Sequence, residues 1–244
     1  MVGRLIFRGL IVGILAGLLA FGWAKIFGEP SVDTAVAFES AQDEAKAAAA
    51  VAAGKQPPEE RVIFSRTVQS GIGLLTGVVV AGAGLGCLFA VLFALANGRI
   101  GSLGPRPTAA LLAFFGLVSV YVVPALKYPA NPPSIGEPET IKYRTGLYFL
   151  MMAISIASTL GALQVRRRLA TQFGPWNSSL MALAVYLVVI GAVFLILPGI
   201  NEVPTTFPAV TLWDFRLASL GIQTVLWGSI GVMFGYAGEQ ALRS

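Results

Sequence analysis

Side chains whose oxygen atoms can bind a metal gather in two short segments of this 244-residue chain, 126–144 and 199–216. The carboxylates and amides concerned are Asn131, Glu137, Glu139, Asn201, Glu202 and Asp214. Divalent first-row metals accept such oxygens as ligands, but a site without imidazole or thiolate groups is weak and unselective. The pattern therefore predicts a transient metal site, which suits transport better than storage.

A structural interpretation of the same residues is also open. Basic side chains stand beside the acids, at Lys127, Lys142, Arg144 and Arg216. If each acid meets one of them within about 4 Å, the acids lock the segments in place. A metal site instead needs at least two carboxylates that converge with no basic group between them. Under either interpretation, if the segments converge, an acid of the first approaches a charged residue of the second.

Prolines make both segments stiff. Proline fixes φ and removes a backbone donor, so closely spaced prolines exclude regular helix and sheet. The prolines in and beside the two segments are Pro124, Pro129, Pro132, Pro133, Pro138, Pro198, Pro204 and Pro208. The sequence therefore predicts two rigid, extended caps.

The elements that position these caps are apolar helices. The chain is 56% hydrophobic and only 12% charged, with a mean hydropathy of +0.77. A membrane-spanning helix needs about 20 mostly apolar residues. Stretches that qualify lie at about 5–27, 71–96, 108–126, 145–165, 178–198 and 217–237. This pattern predicts an all-α integral membrane protein, with six transmembrane helices in one bundle that forms a single membrane domain over 1–244.

The connection between the first two predicted spans, 28–70, is long and more polar than the rest of the chain. Alanine, glutamate and lysine in "AVAFESAQDEAKAAAAVAAGKQPPEER" favour a helix, which "GKQPP" at 54–58 should end. A short helix is therefore expected within this outer loop. It is too polar to cross a membrane.

Charge asymmetry predicts the orientation. Eight arginines fall on the side of the N-terminus, at Arg4, Arg8, Arg99, Arg106, Arg166, Arg167, Arg168 and Arg243. Of the twelve acids, only Glu239 falls on that side. By the positive-inside rule, both termini are cytoplasmic, in the inner membrane of a bacterium. The "RRR" at 166–168 is interpreted as a topology signal, with an anionic-lipid site as the alternative.

Glycines at intervals of four residues occur in the first two spans. They form the sets Gly9, Gly13 and Gly17, then Gly73 and Gly77, then Gly82 and Gly86. This spacing puts the glycines on one helix face and lets two backbones approach closely. The contact can be within the chain or between copies in a homo-oligomer.

Several classes of function are excluded by what the chain lacks. It contains no histidine and a single cysteine, Cys87, so the commonest general base and CxxC-type metal sites are absent. No serine lies in a GxSxG context, and no GxxxxGK[ST] loop is present. The basic residues do not form one face, so a nucleic-acid partner is not expected. The chain is therefore predicted not to be an enzyme and to hold no permanent cofactor.

Four long motifs of the chain are unusual in sequence, namely "SRTVQSGIGLLTG" at 65–77, "LKYPANPPSIGEPETI" at 126–141, "LPGINEVPTTFP" at 197–208 and "LWDFRLASLG" at 212–221. Together and in this order they resemble the CbtA family, predicted membrane subunits of cobalt transporters. The resemblance implies cobalt(II) uptake linked to cobalamin supply, with cobalt(II) as the transported ion. It also implies a small single-span partner of the CbtB type with a histidine-rich end.

The chain departs from this family at one place. Members often carry histidines in the loop after the first helix, where this chain reads "AQDEAKAAAAVAAGKQ". The resemblance therefore implies no metal-gathering role for that loop here. A different class of function stays open, in which the chain is a non-transporting scaffold that stabilises a partner membrane protein through its glycine faces.

Overall fold

A computed structural model describes residues 2–56, 64–100, 102–133 and 135–243, and within these ranges the only regular elements are helices. The α-helices are α1 Val2–Trp23, α2 Glu29–Ala52, α3 Arg66–Val68, α4 Leu74–Ala96, α5 Pro105–Gly116, α6 Val123–Lys127, α7 Ile141–Ile196 and α8 Ala209–Arg243. Short π-helical segments join α1 to α2, α3 to α4 and α5 to α6, at Ala24–Gly28, Gln69–Gly73 and Leu117–Val122. A 3₁₀ turn, Pro138–Thr140, leads into α7. The all-helical prediction is confirmed.

Five continuous helical segments of the described chain are long and apolar enough to cross a membrane. They are Val2–Ala52, Arg66–Ala96, Pro105–Lys127, Pro138–Ile196 and Ala209–Arg243. The six predicted spans fall on these five segments because two of them, 145–165 and 178–198, both lie in α7. The predicted boundaries are shorter than the helices themselves.

Helix α7 is broken in its interior at Gly174, whose φ of 77° and ψ of 167° are not helical. Ser155 Oγ lies 3.4 Å from Tyr186 OH, although residues 31 positions apart in a straight helix stand about 46 Å apart. The chain therefore reverses at Gly174, and α7 consists of two antiparallel arms, 141–173 and 175–196. Glycine adopts the positive φ without a Cβ penalty, and Pro175 is tolerated in the first turn of the second arm.

The predicted separate helix in the 28–70 loop is wrong in one respect, because α2 continues α1 through the π segment Ala24–Gly28. Pro30 stands two residues after that segment, and Pro124 stands two residues after the π segment Leu117–Val122. Proline cannot donate to the carbonyl four residues earlier and crowds it, so the wider π turn accommodates it without ending the helix. Helix α2 ends at Ala52, before Gly54 at φ 70°. Pro57 and Pro58 lie outside the described residues.

The two proline-rich segments are also less irregular than predicted. Helix α6 extends to Lys127, the 3₁₀ turn begins at Pro138, and α8 begins at Ala209. Asp214 and Arg216 therefore lie on a helix rather than in a loop. The physical reason is that a proline at the first turn of a helix loses no hydrogen bond, so Pro138 and Pro208 precede or open helices instead of preventing them.

The chain divides into two compact units. The first comprises Met1–Phe114, Ala130–Ile135 and Val203–Ser244, and the second comprises Phe115–Pro129 and Gly136–Glu202. The assignment of 1–244 to a single membrane domain stays a prediction.

Glycine faces join α1 to α4 in the first unit. A Cβ atom added to Gly9 or Gly13 would overlap the backbone of Gly86 or Gly82, and the converse substitutions would overlap α1. The prediction of close packing within the chain is therefore confirmed for these two sets. At Gly77 no described atom lies within 4 Å of the position that a Cβ would take, so the prediction for Gly73 and Gly77 stays a prediction.

Charged groups tie the helix ends of the first unit together on the side of the chain termini. Glu239, the one acid predicted there, accepts a hydrogen bond from Arg106 Nε at 2.6 Å and another from Arg243 Nη2 at 2.8 Å. Arg8 Nη1 donates to the carbonyl of Ala237. Below these contacts Phe89 and Phe93 pack edge-on against Phe234.

The second unit packs the 115–129 segment against both arms of α7. Val123, Tyr128, Leu147, Met151 and Ile190 form its buried apolar core. Ser119 Oγ lies 2.8 Å from Thr159 Oγ1, so the buried hydroxyls bond one another across helices.

Candidate functional site: the proline-rich outer segments

In the second unit, one oxygen atom of Glu202 accepts hydrogen bonds from two groups and lies beside the guanidinium of Arg144. The backbone N–H of Glu137 donates to Glu202 Oε2 at 2.9 Å. Thr140 Oγ1 lies 2.9 Å from the same atom, and Arg144 Nε lies 3.3 Å from it. Glu202 therefore joins the segment after α7 to the turn before α7, across more than sixty residues of sequence.

The turn before α7 is shaped to receive these contacts. Gly136 adopts a φ of 109°, and a Cβ at this position would overlap the Arg144 guanidinium. Arg144 Nη2 also donates to the carbonyl of Glu137 at 3.2 Å. The backbone and side chains of "GEPETIKYR" thus bind one another, and only glycine fits where the arginine crosses the chain.

The carboxyl group of Glu202 has a pKa below its ordinary value. The largest cause is the backbone N–H of Glu137, followed by the hydroxyl of Thr140, while partial desolvation opposes them and the charge of Arg144 adds to them. Each of these donors stabilises the ionised form. Glu202 is therefore a carboxylate at neutral pH.

A second set of contacts in the same unit connects the end of α6 to the end of α7. Lys127 Nζ donates to the carbonyl of Phe194 at 2.7 Å, and Tyr128 OH donates to the carbonyl of Pro198 at 2.9 Å. These carbonyls belong to the last turn of α7 and the residues after it, where no helical donor remains. A lysine at this position also interacts favourably with the helix dipole.

In the first unit, Arg216 of α8 holds the segment 130–135. Its Nη2 donates to Asn131 Oδ1 at 2.9 Å, and its Nε donates to the carbonyl of Ala130 at 3.3 Å. Apolar contacts support this arrangement, since Ile135 and Phe207 are buried together with Ala35 of α2. The Phe38 ring packs edge-on against Phe207, with 5.1 Å between the ring centroids.

The predicted approach between the segments is confirmed for Glu137 and Glu202, and it is made through the backbone of Glu137. The partners of Glu202 include a basic group, which is the arrangement of a lock. Asn131 is engaged by Arg216 instead of standing free as an oxygen ligand. The remaining predicted residues have exposed side chains, namely Glu137, Glu139, Asn201 and Asp214. No cluster of three or more acids, cysteines or histidines fit to hold a metal occurs among the described residues.

The sequence did not predict one charged cluster of the first unit, formed by Glu29, Asp33 and Arg66. Arg66 Nη2 donates to Glu29 Oε2, and Arg66 Nε donates to Asp33 Oδ1 at 2.9 Å. Glu29 is buried, with 8% of its surface exposed. The four-residue spacing of Glu29 and Asp33 was the available signal, because it puts both acids on one helix face.

A lysine next to this cluster connects two of the π segments. Lys25, in Ala24–Gly28, donates from Nζ to the carbonyl of Ser70 in Gln69–Gly73, at 3.1 Å. A π turn leaves carbonyls with poor helical partners, so an adjacent cation can satisfy them. The motif "SRTVQSG" thus supplies both the arginine and the carbonyl that bind the start of α2 and the end of α1.

Long apolar helices, charged groups at the helix ends and braced proline-rich connections place the chain in the class of all-helical proteins built to cross a membrane. Within that class, the chain belongs to the CbtA family, described as "Probable cobalt transporter subunit (CbtA)", whose model matches residues 2–239. A transporter subunit is not an enzyme. Neither a curated protein nor a solved structure matches the chain.

Proposed function

We propose that this chain is the membrane subunit of a cobalt(II) uptake transporter linked to cobalamin supply. The observation that carries the proposal is the family match over residues 2–239, which includes four of the five long apolar helices completely and the fifth up to Glu239. Cobalt(II) is the transported ion in this account. A small single-span subunit of the CbtB type completes the transporter.

The proposed topology has six spans with both termini in the cytoplasm of a bacterium. The break at Gly174 supports the sixth span, because each arm of α7 is long enough to cross about 30 Å of hydrocarbon. The 51-residue segment Val2–Ala52 would be about 77 Å long as one helix. It exceeds the bilayer thickness, so α2 projects from the membrane on the outer side.

Glu202 and Asn131 brace the outer segments in this account, since each is bound by an arginine. The exposed carboxylates of Glu137 and Glu139 attract hydrated cobalt(II) to the outer surface without holding it. Asn201 and Asp214 have the same proposed role. Weak binding by carboxylates suits a transported ion, because the ion must dissociate again after it binds.

The scaffold alternative depended on free glycine faces. Gly9, Gly13, Gly82 and Gly86 are used within the first unit, so these surfaces offer no support for a partner contact, whereas the face of Gly77 has no described neighbour within 4 Å. A homo-oligomer formed through them lacks support for the same reason.

Cobalt accumulation in cells that lack other cobalt uptake systems tests the proposed function. Cells that produce this chain together with the small partner should accumulate more cobalt than cells that produce the partner alone. An equal amount in both would contradict the proposal. Competition by excess nickel or zinc in the same assay reports the selectivity.

A further inference from the structure

A groove of about 520 Å³ lies at the start of α1, lined by Gly3, Arg4, Phe7, Arg8 and Ile11. All five lining residues belong to α1, so the groove is shallow and runs along one face of this helix. Gly3 leaves the groove open, because nothing lies within 4 Å of the position that a Cβ would take there. The proposed transport function assigns no role to this groove.

The groove is lined mainly by apolar atoms, with Arg4 towards the start of the helix and Ile11 furthest along it. Arg4 and Arg8 are one helical turn apart and lie on the same face. Arg8 is oriented by the hydrogen bond from its Nη1 to the carbonyl of Ala237, and the guanidinium keeps further donors. Phe7 and Ile11 are exposed over 62% and 44% of their surfaces.

The two ends are arranged along the helix axis. Ile11 is about 10 Å further along the helix than Arg4. In a helix that crosses a membrane, Arg4 therefore lies at the level of the headgroups, and Ile11 lies in the hydrocarbon. A phospholipid has the same order of chemistry, with an anionic phosphate at the surface and acyl chains below it.

We propose that this groove binds one anionic phospholipid. Its phosphate contacts the guanidinium groups of Arg4 and Arg8, and an acyl chain packs on Phe7 and Ile11. Charge complementarity selects an anionic headgroup, because each arginine near the membrane surface contributes to binding of anionic lipid. The apolar half of the groove selects a lipid over a soluble phosphate compound.

Native mass spectrometry of the full-length protein in detergent, titrated with phosphatidylglycerol or phosphatidylcholine, tests this site. The wild type should bind phosphatidylglycerol in preference to phosphatidylcholine with one tight site. Arg4→Gln combined with Arg8→Gln should weaken phosphatidylglycerol binding roughly thirtyfold. The same affinity for both lipids, or unchanged binding in this variant, would overturn the proposal.

A matched control removes the same charge elsewhere. Arg99→Gln combined with Arg243→Gln removes two exposed arginines outside the groove and should keep the tight site. An equal loss in this control would mean that binding follows net charge alone, against the proposal. Arg4→Lys combined with Arg8→Lys should keep most of the binding, since lysine also binds phosphate as a point charge. A loss as large as in the glutamine variant would contradict recognition of the phosphate by charge.

The apolar half of the groove is tested separately. Phe7→Ala should weaken binding of long-chain phosphatidylglycerol more than it weakens binding of a short-chain analogue. Inorganic phosphate or glycerol phosphate at equal concentration should not displace the lipid. Displacement by either would assign the groove to a soluble phosphate compound and overturn the lipid proposal.

Discussion

At the scale of single residues, one carboxylate oxygen of the second unit holds the residues before α7 and the residues after it together. Glu202 Oε2 accepts from the Glu137 amide and lies beside Thr140 and Arg144. A carboxylate that gathers several donors is fixed in position, and a cation that replaced Arg144 would have to displace these donors as well. The geometry of Glu202 is therefore that of a brace.

Replacing Glu202 with glutamine should lower the abundance of the protein in the membrane and lower cobalt uptake in proportion. The amide keeps one acceptor but loses the charge that pairs with Arg144. Immunoblotting of membranes and cobalt uptake by the same cells provide the measurement. Glu139→Gln is the matched control, since Glu139 is exposed. The abundance of this variant protein in the membrane should equal that of the wild type. Normal abundance of Glu202→Gln with lost uptake would instead make Glu202 a cobalt ligand.

Acidification should remove the contribution of Glu202 to stability. The pKa of its carboxyl group is lowered from 4.5 in the folded protein. Glu202 therefore contributes fully to the free energy of unfolding when the pH is above the pKa of its carboxyl group in the unfolded chain. This contribution is lost as the pH falls through the pKa of the same group in the folded protein. The difference in melting temperature between wild type and Glu202→Gln in detergent should be largest at neutral pH and should shrink below about pH 4.5. A difference that grows on acidification would contradict this origin.

At the scale of elements, close helix contact depends on residues that lack a side chain. Gly86→Ala should destabilise the protein by about 1–3 kcal/mol, because the new methyl group would overlap the backbone of Gly9. Gly84→Ala is the matched control, since Gly84 lies on the same helix with no described atom within 4 Å of its Cβ position. It should be neutral or slightly stabilising. Thermal unfolding of the two variants in detergent checks this, and equal melting temperatures would contradict the assigned packing face.

Some features of the helices can be predicted from the sequence, and others cannot. Hydropathy locates each apolar helix, and the four-residue spacing of Gly82 and Gly86 predicts a packing face, because both depend on local chemistry. The continuity of α1 with α2 was missed because a π turn before Pro30 has no distinct pattern. For Glu202 and Glu137, the sequence predicted that the two segments come close together, but not which atoms make the contact. Its acceptor atom and its backbone donor depend on tertiary packing that no local pattern encodes.

At the scale of the whole molecule, the account requires that the outer segments lie on one side of the membrane and the arginine-rich ends on the other. Two variants test this, Glu139→Cys and Arg168→Cys, each made in a protein that also carries Cys87→Ala. Each new cysteine shows on which side of the membrane its position lies. A membrane-impermeant thiol reagent added to whole cells should label the first and should reach the second only after the cells are opened. Labelling of position 168 from outside would reverse the proposed orientation.

Cobalt flux in proteoliposomes tests the central claim most directly. The purified chain and its small partner are reconstituted into liposomes that contain a dye whose fluorescence cobalt(II) quenches. Cobalt(II) is then added to the external buffer. The account predicts faster quenching with both proteins than with the partner alone or with empty liposomes. Equal quenching rates with and without this chain would contradict its role as a transporter subunit.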